Sequence, residues 1–246
     1  MFKGLFCVAA ICLSAGSYFA SAQASNSCTQ NEPACVLEAA WGAALVLPDD
    51  KKARLQAAFL EIAVLSGDPS LAQVWADRFD THIPKAVEKY PDFGWSVAEP
   101  VLQRSGVDGL IQQARLKQGD VSIGRADALL AAGKRLFPEA PADAMRINQA
   151  MLEMTQSAND FEKPALAHAA AELAMVRCDA ERFERGVSMT DAQNNMRYAF
   201  WRARMQGGVS GLVDRVRNSA REDDTMHVRQ SLDGYRAILE LGYCSQ

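Results

Sequence analysis

The chain has 246 residues, is 49% hydrophobic and carries a formal net charge of −4 at pH 7. That length is ample to bury a core, and the mildly acidic balance argues against nucleic acid, which calls for a basic face. Beyond the N-terminus no stretch stays free of charges for the roughly 20 residues that a membrane span needs.

The first residues read as an export leader. Lys3 precedes an apolar run from Leu5 to Ala15, and Ala20-Ser21-Ala22-Gln23-Ala24 offers overlapping small-x-small cleavage patterns. The expectation is a signal peptide over 1–24, a mature domain over 25–246 and a periplasmic or secreted protein with no membrane span after cleavage. Cys7 and Cys12 fall in the leader, which leaves Cys28, Cys35, Cys178 and Cys244. An even number of cysteines sent to an oxidising compartment points to disulfides. The favoured pairing is Cys28 with Cys35, stapling the N-terminus, and Cys178 with Cys244, pinning the last helix to an earlier one. Neither zinc-ligand spacing nor a haem-attachment motif is present, so no metal site and no cofactor are expected.

The rest of the chain reads as helix throughout. Leu55, Ala58, Phe59, Ile62 and Ala63 fall at the spacing of one helical face, and Leu71, Val74, Trp75, Phe79 and Ile83 do the same in the next segment. Between them Gly67-Asp68-Pro69 supplies a terminating glycine, a capping aspartate and a first-turn proline. The segment Lys89 to Pro100, with Pro91, Phe93, Gly94, Trp95 and Pro100, breaks the rhythm and reads as a connection that packs its aromatics beneath itself. Leu110, Ile111 and Leu116 lead through Gly119-Asp120 to Ile123, Ala126, Leu129 and Leu130. Ile147, Met151, Leu152 and Met154 lead through Asn159-Asp160 to Leu166, Ala169, Ala170, Leu173 and Ala174. Thr190 and Gln193 stand at capping-box spacing before Met196, Phe200, Trp201 and Met205, which run to Gly207-Gly208. A last helix from about Thr225 to Leu241 turns Val228, Leu232, Tyr235, Ile238 and Leu239 inward and ends at Gly242.

Four such helical hairpins, unevenly spaced, predict an all-α fold of stacked hairpins, α-solenoid-like, with an irregular helical bundle as the alternative. The Gly67-Asp68 turn followed by Ala72, the Gly119-Asp120 turn followed by Gly124, and Pro84 closing the first hairpin resemble the tetratricopeptide-like helical repeats. That resemblance implies an extended surface for a protein or peptide partner.

No nucleophile elbow, metalloprotease helix, phosphate loop, dinucleotide fingerprint or calcium loop occurs, and no catalytic residue is assigned. Of the three histidines, His82 is expected to pack at a helix border, while His168 and His227 read as surface residues. The functional expectation is a protein-interaction module or scaffold of the cell envelope; a small helical enzyme or ligand-binding protein with a pocket between helices is the alternative. Trp95, Trp201, Arg202 and Arg204 are the residues chosen for partner contact, because Trp and Arg are enriched where binding energy concentrates.

Overall fold

The computed structural model describes residues 33–84, 92–116, 122–218 and 225–245. The leader, Cys28 and the Gly119-Asp120 turn lie outside these residues. Every regular element among them is a helix: α1 (Pro33–Ala44), α2 (Asp49–Ala53), α3 (Gln56–Leu65), α4 (Pro69–Arg78), α5 (Phe93–Leu116), α6 (Ser122–Leu136), α7 (Pro141–Ser157), α8 (Glu162–Val176), α9 (Ala180–Ser188), α10 (Met196–Gln206), α11 (Ser210–Asn218) and α12 (Thr225–Leu241). No helix among the described residues is long and apolar enough to cross a membrane.

Several punctuation marks act as the sequence predicts. Gly67 takes a left-handed conformation (φ 73°), and the Asp68 carboxylate accepts hydrogen bonds from the amides of Ser70 and Leu71 while Pro69 opens α4. Asn159 caps α8 by accepting from the amides of Phe161 and Glu162. Gly207 (φ 85°) ends α10, and Gly242 ends α12 by donating its amide to Ile238.

Three local expectations are corrected. Helix α5 starts at Phe93 and runs through Pro100, so much of the expected connection is helix. Proline is tolerated because Ser96, whose carbonyl it cannot bond, is exposed, and the break falls instead at Gly106 (φ 65°). Thr190 does not cap α10: its hydroxyl donates to the Val187 carbonyl, and Asn195 accepts from the Arg197 amide instead. His82 follows α4 in an exposed segment, and Val74 and Ile83 of the expected stripe are exposed as well.

Chain order is not spatial order. Successive helices pack as hairpins from α5 through α9, with α6 also lying on α8. The N-terminal helices do not continue this row at its beginning; α1 packs on α11 and α12, and α3 packs on α12, at the opposite end. Simple stacking in chain order would leave the two ends of the chain apart. Here they share one core in which Phe59 stacks on Trp75 with ring centroids 4.9 Å apart, close to Phe200 and Tyr235 of the C-terminal helices. Arg78 covers Trp75 at 4.2 Å and pairs with Glu38 at 2.8 Å.

A second core joins α5 to α8, and a third, built on Phe183, Tyr198 and Trp201, joins α8, α9 and α10. Buried Arg125 on α6 donates to Glu162 of α8 at 2.7 Å and to the Ala114 carbonyl of α5 at 2.9 Å, tying three helices by one guanidinium.

Glycines set the closest helix approaches. A Cβ at Gly133 would fall 2.4 Å from Leu173 across the α6–α8 seam, and one at Gly234 would fall 2.8 Å from the Phe200 Cβ and 3.0 Å from the Arg197 Cα across the α10–α12 seam. Gly42 of α1 has open space around it. Substituting Gly234→Ala is therefore expected to lower stability by about 1–3 kcal/mol through overpacking, whereas Gly42→Ala should raise it by roughly 0.5–1 kcal/mol through helix propensity. Urea unfolding of both variants checks this; equal and stabilising shifts would contradict the close approach.

Candidate functional site

Helices α6, α8, α10, α12 and α3 form one continuous layer, each packed on the next. Over its middle lies a groove of about 730 Å³. Lys134, Phe137 and Pro138 at the end of α6 form one rim, and Asp233, Arg236, Ala237, Glu240 and Leu241 of α12 form the other. Glu172, Met175 and Val176 of α8 and Arg197, Trp201 and Arg204 of α10 line the space between.

The groove follows from the residues placed at the α8–α10 seam. Where glycines close the neighbouring seams, this one is filled by large side chains: His168 stacks on Trp201 at 5.4 Å, and its Nδ1 lies 2.8 Å from the Tyr198 hydroxyl. His168 Nε2 faces Arg197 Nη1 at 3.4 Å and Glu172 Oε2 at 3.6 Å. Glu172 is also paired with Lys134, and Arg197 donates to Asp233 at 2.6 Å. On the α12 rim Arg236 meets Glu240 at 2.8 Å and, continuing onto α3, Glu61 at 2.5 Å. The walls thus carry both signs of charge, with each carboxylate matched to a cation, above an apolar strip of Met175, Val176, Ala237 and Leu241.

Burial holds the His168 imidazole below its ordinary range; Arg197 and Lys134 act in the same direction and Glu172 opposes them. Burial alone would lift the Glu172 carboxyl, but Lys134, His168 and Arg197 outweigh it and keep it below the usual carboxylate range. Burial raises the Tyr198 phenol. At neutral pH an ionised Glu172 lines the groove, and against its Trp201 wall lie a neutral His168 imidazole and a protonated Tyr198 phenol, with both imidazole nitrogens facing protein groups.

The four residues chosen from sequence for partner contact separate. Trp201 is 3% exposed and forms the groove's aromatic wall. Arg204 also lines the groove but is 4% exposed, with its head turned to the Met175 carbonyl at 2.5 Å, so it cannot serve as a surface anchor. Arg202 faces α9, where it makes a two-pronged bridge to Glu184 at 2.6 and 2.7 Å over the Phe183 ring. Trp95 is partly buried in the α5–α8 core beneath Arg135, which sits 4.9 Å from its ring. His168, expected on the surface, stands at the centre of the groove network instead. Its signal in the sequence was its place beside the apolar face of α8, which becomes informative only once α10 lies against it.

Cys178 and Cys244 are joined, their Cα atoms 5.7 Å apart, as the favoured pairing predicts. Among the described residues no cluster of His, Cys, Asp or Glu is arranged to hold a metal ion. No protein-family model, no curated protein and no solved structure matches this chain.

The electrostatics predict acid sensitivity. Because the folded state resists protonating His168 while the unfolded chain accepts the proton, the stability this group contributes falls as pH drops below about 6.5. Between pH 6.5 and 5.5 the wild-type melting temperature should fall by about 2–4 °C more than that of His168→Gln, measured by circular dichroism. Parallel pH profiles for the two proteins would contradict the assignment.

Proposed function

We propose that this protein is exported by its N-terminal leader and works as a helical binding module of the cell envelope, holding an extended peptide segment of a partner protein in the groove over α8 and α10. One observation carries the reading: the groove reaches from α6 to α12 with an apolar strip between walls of paired charge. A groove of that reach suits an extended chain more than a compact metabolite. Its apolar strip would take alternate side chains, while the wall pairs can exchange partners with a peptide that carries charges of both signs. The tetratricopeptide-like turns support the same reading, since helical-repeat proteins use such surfaces for peptides.

The alternative is a small-molecule ligand or substrate beside His168 and Tyr198. It draws on the imidazole–phenol pair packed against the Trp201 wall, in contact at 2.8 Å. The saturation of both ring nitrogens favours the peptide reading over it.

The test is site-specific photocrosslinking of the full-length, exported protein in cells. The photoreactive residue replaces Leu241 or Pro138 on the two rims, or Phe161, which is 71% exposed and outside the groove. The expected result is one common partner captured from both rim positions and not from Phe161, reduced at least fivefold by Lys134→Glu, which sets two carboxylates against each other at Glu172. Identical capture from all three positions, or none from either rim, would overturn the proposal.

A further inference from the structure

Arg204, which lines the groove, sits beside a disulfide whose chemistry differs from the rest of the wall. Cys178 follows α8 in a left-handed conformation (φ 58°), and its amide and that of Asp179 bond back to Met175 and Ala174. This is the helix-terminating position that glycine normally fills, and a side chain there is strained. Cys244 lies just past α12, with its amide donated to the Arg204 carbonyl at 3.1 Å. Arg204 reaches between them: Nη1 lies 3.2 Å from the Cys178 sulfur and 3.1 Å from the Cys244 sulfur, and Nη2 lies 3.4 Å from the Leu241 carbonyl.

That guanidinium is buried with no carboxylate within salt-bridge distance among the described residues, and burial depresses its pKa. Neutral disulfide sulfurs and backbone carbonyls compensate its charge poorly. Thiolates would compensate it well, because a cation beside sulfur stabilises the anion and the leaving group alike. Cys178 is the more exposed of the two cysteines, Cys244 being half-buried, and the attack is placed there.

We propose that Cys178–Cys244 is a redox-active fastener that a dithiol reductant opens, with Arg204 receiving the thiolate, and that its opening releases the groove. In the first step a thiolate of the dithiol attacks the Cys178 sulfur; a mixed disulfide forms, and Cys244 leaves as a thiolate held by Arg204. In the second, the other thiol of the reductant attacks the mixed disulfide, so the reductant departs oxidised and Cys178 is freed. Two electrons pass from the dithiol to the pair of cysteines; of its two protons one ends on Cys178 and the other goes to solvent while Cys244 stays a thiolate. Reduction unlinks the end of α8, which carries Met175 and Val176, from the end of α12, which carries Ala237 and Leu241, and these are the two sides of the apolar strip. The cleft then loses its fixed width, and the partner is let go. This last part rests on the reading of the groove as a peptide site.

The test equilibrates the oxidised full-length protein in a series of glutathione or dithiothreitol redox buffers, traps thiols by alkylation and quantifies Cys178 and Cys244 by mass spectrometry. Wild type should be reduced, with helicity retained, at a thiol-to-disulfide ratio at least tenfold lower than Arg204→Met requires, while Arg204→Lys stays near wild type. Equal midpoints for wild type and Arg204→Met, or a disulfide that yields only as helicity is lost, would overturn the redox assignment. Should Arg204→Met fail to fold, the alkylation rate of Cys244 in reduced wild type replaces it. A rate at least tenfold faster in the folded protein than in urea supports the thiolate, and an equal or slower rate contradicts it. Crosslinking from the Leu241 position then reads the gating. At least a fivefold loss of partner on reduction supports it, and equal capture in both states overturns it while leaving the groove reading intact. Capture in neither state removes the gating together with the groove reading, and the midpoints still decide whether the disulfide is labile.

Discussion

Small residues at the helix seams govern this architecture. Where Gly133 meets Leu173 and where Gly234 meets Arg197 and Phe200, the side chains are trimmed away and the helices come together; Gly186 does the same against the Ala171 amide between α8 and α9. Helices separated by glycine or alanine approach closely, whereas helices separated by aromatic and charged side chains stand apart. The α8–α10 seam is of the second kind, holding His168, Tyr198 and Trp201. The groove is thus the open member of a row of seams, and Trp201 of that seam forms part of its wall.

The two ends of the chain reinforce this row from one side. Packing α1 and α3 on α11 and α12 covers surfaces that would otherwise be apolar and exposed, and it fixes α12 through Val228, Leu232 and Tyr235. With α12 fixed there, its other face forms the rim of the groove, and Arg236 bridges the two environments through Glu61 and Glu240. Arg204 links the opposite end of the groove to the disulfide. Packing, electrostatics and covalent bonding therefore converge on the relative positions of α8, α10 and α12.

Much of the local structure was legible in the sequence because it depends on neighbours in the chain. Gly67-Asp68-Pro69, Gly207 and Gly242 announce their helix ends by backbone conformation and capping alone, and the inward face of α12 follows from periodicity. The Cys178–Cys244 pairing was legible as the bond that would pin a terminal helix. Features that depend on distant partners were not. Nothing in Leu37 or Ala40 says that α1 will lie against the C-terminal helices, whereas short α9 carries its signature in the sequence, with Phe183 and Val187 on one face among charged residues. Pro91 and Pro100 around Trp95 suggested a connection, whereas exposed solvent next to Ser96 allowed a helix. Of the groove, Trp201 and Arg204 were both named for their residue types. His168 was read as a surface residue and Glu172 and Asp233 were not singled out, because polar residues on α8 and α12 acquire meaning only when the layer brings them to Trp201 and Arg197 on α10.

The central claim is that the groove between α6 and α12 holds an extended peptide. It is tested most directly by selecting a displayed random peptide library on the oxidised protein, then measuring the selected peptides against wild type and Ala237→Trp by fluorescence anisotropy. Ala237 lies on the apolar strip and is partly buried, so tryptophan there fills the cleft. Convergence on peptides that place an apolar residue between charges of both signs, with binding weakened at least tenfold in Ala237→Trp at unchanged helicity, is the predicted result. A library that yields no common sequence, or peptides that bind Ala237→Trp as well as wild type, would contradict the account.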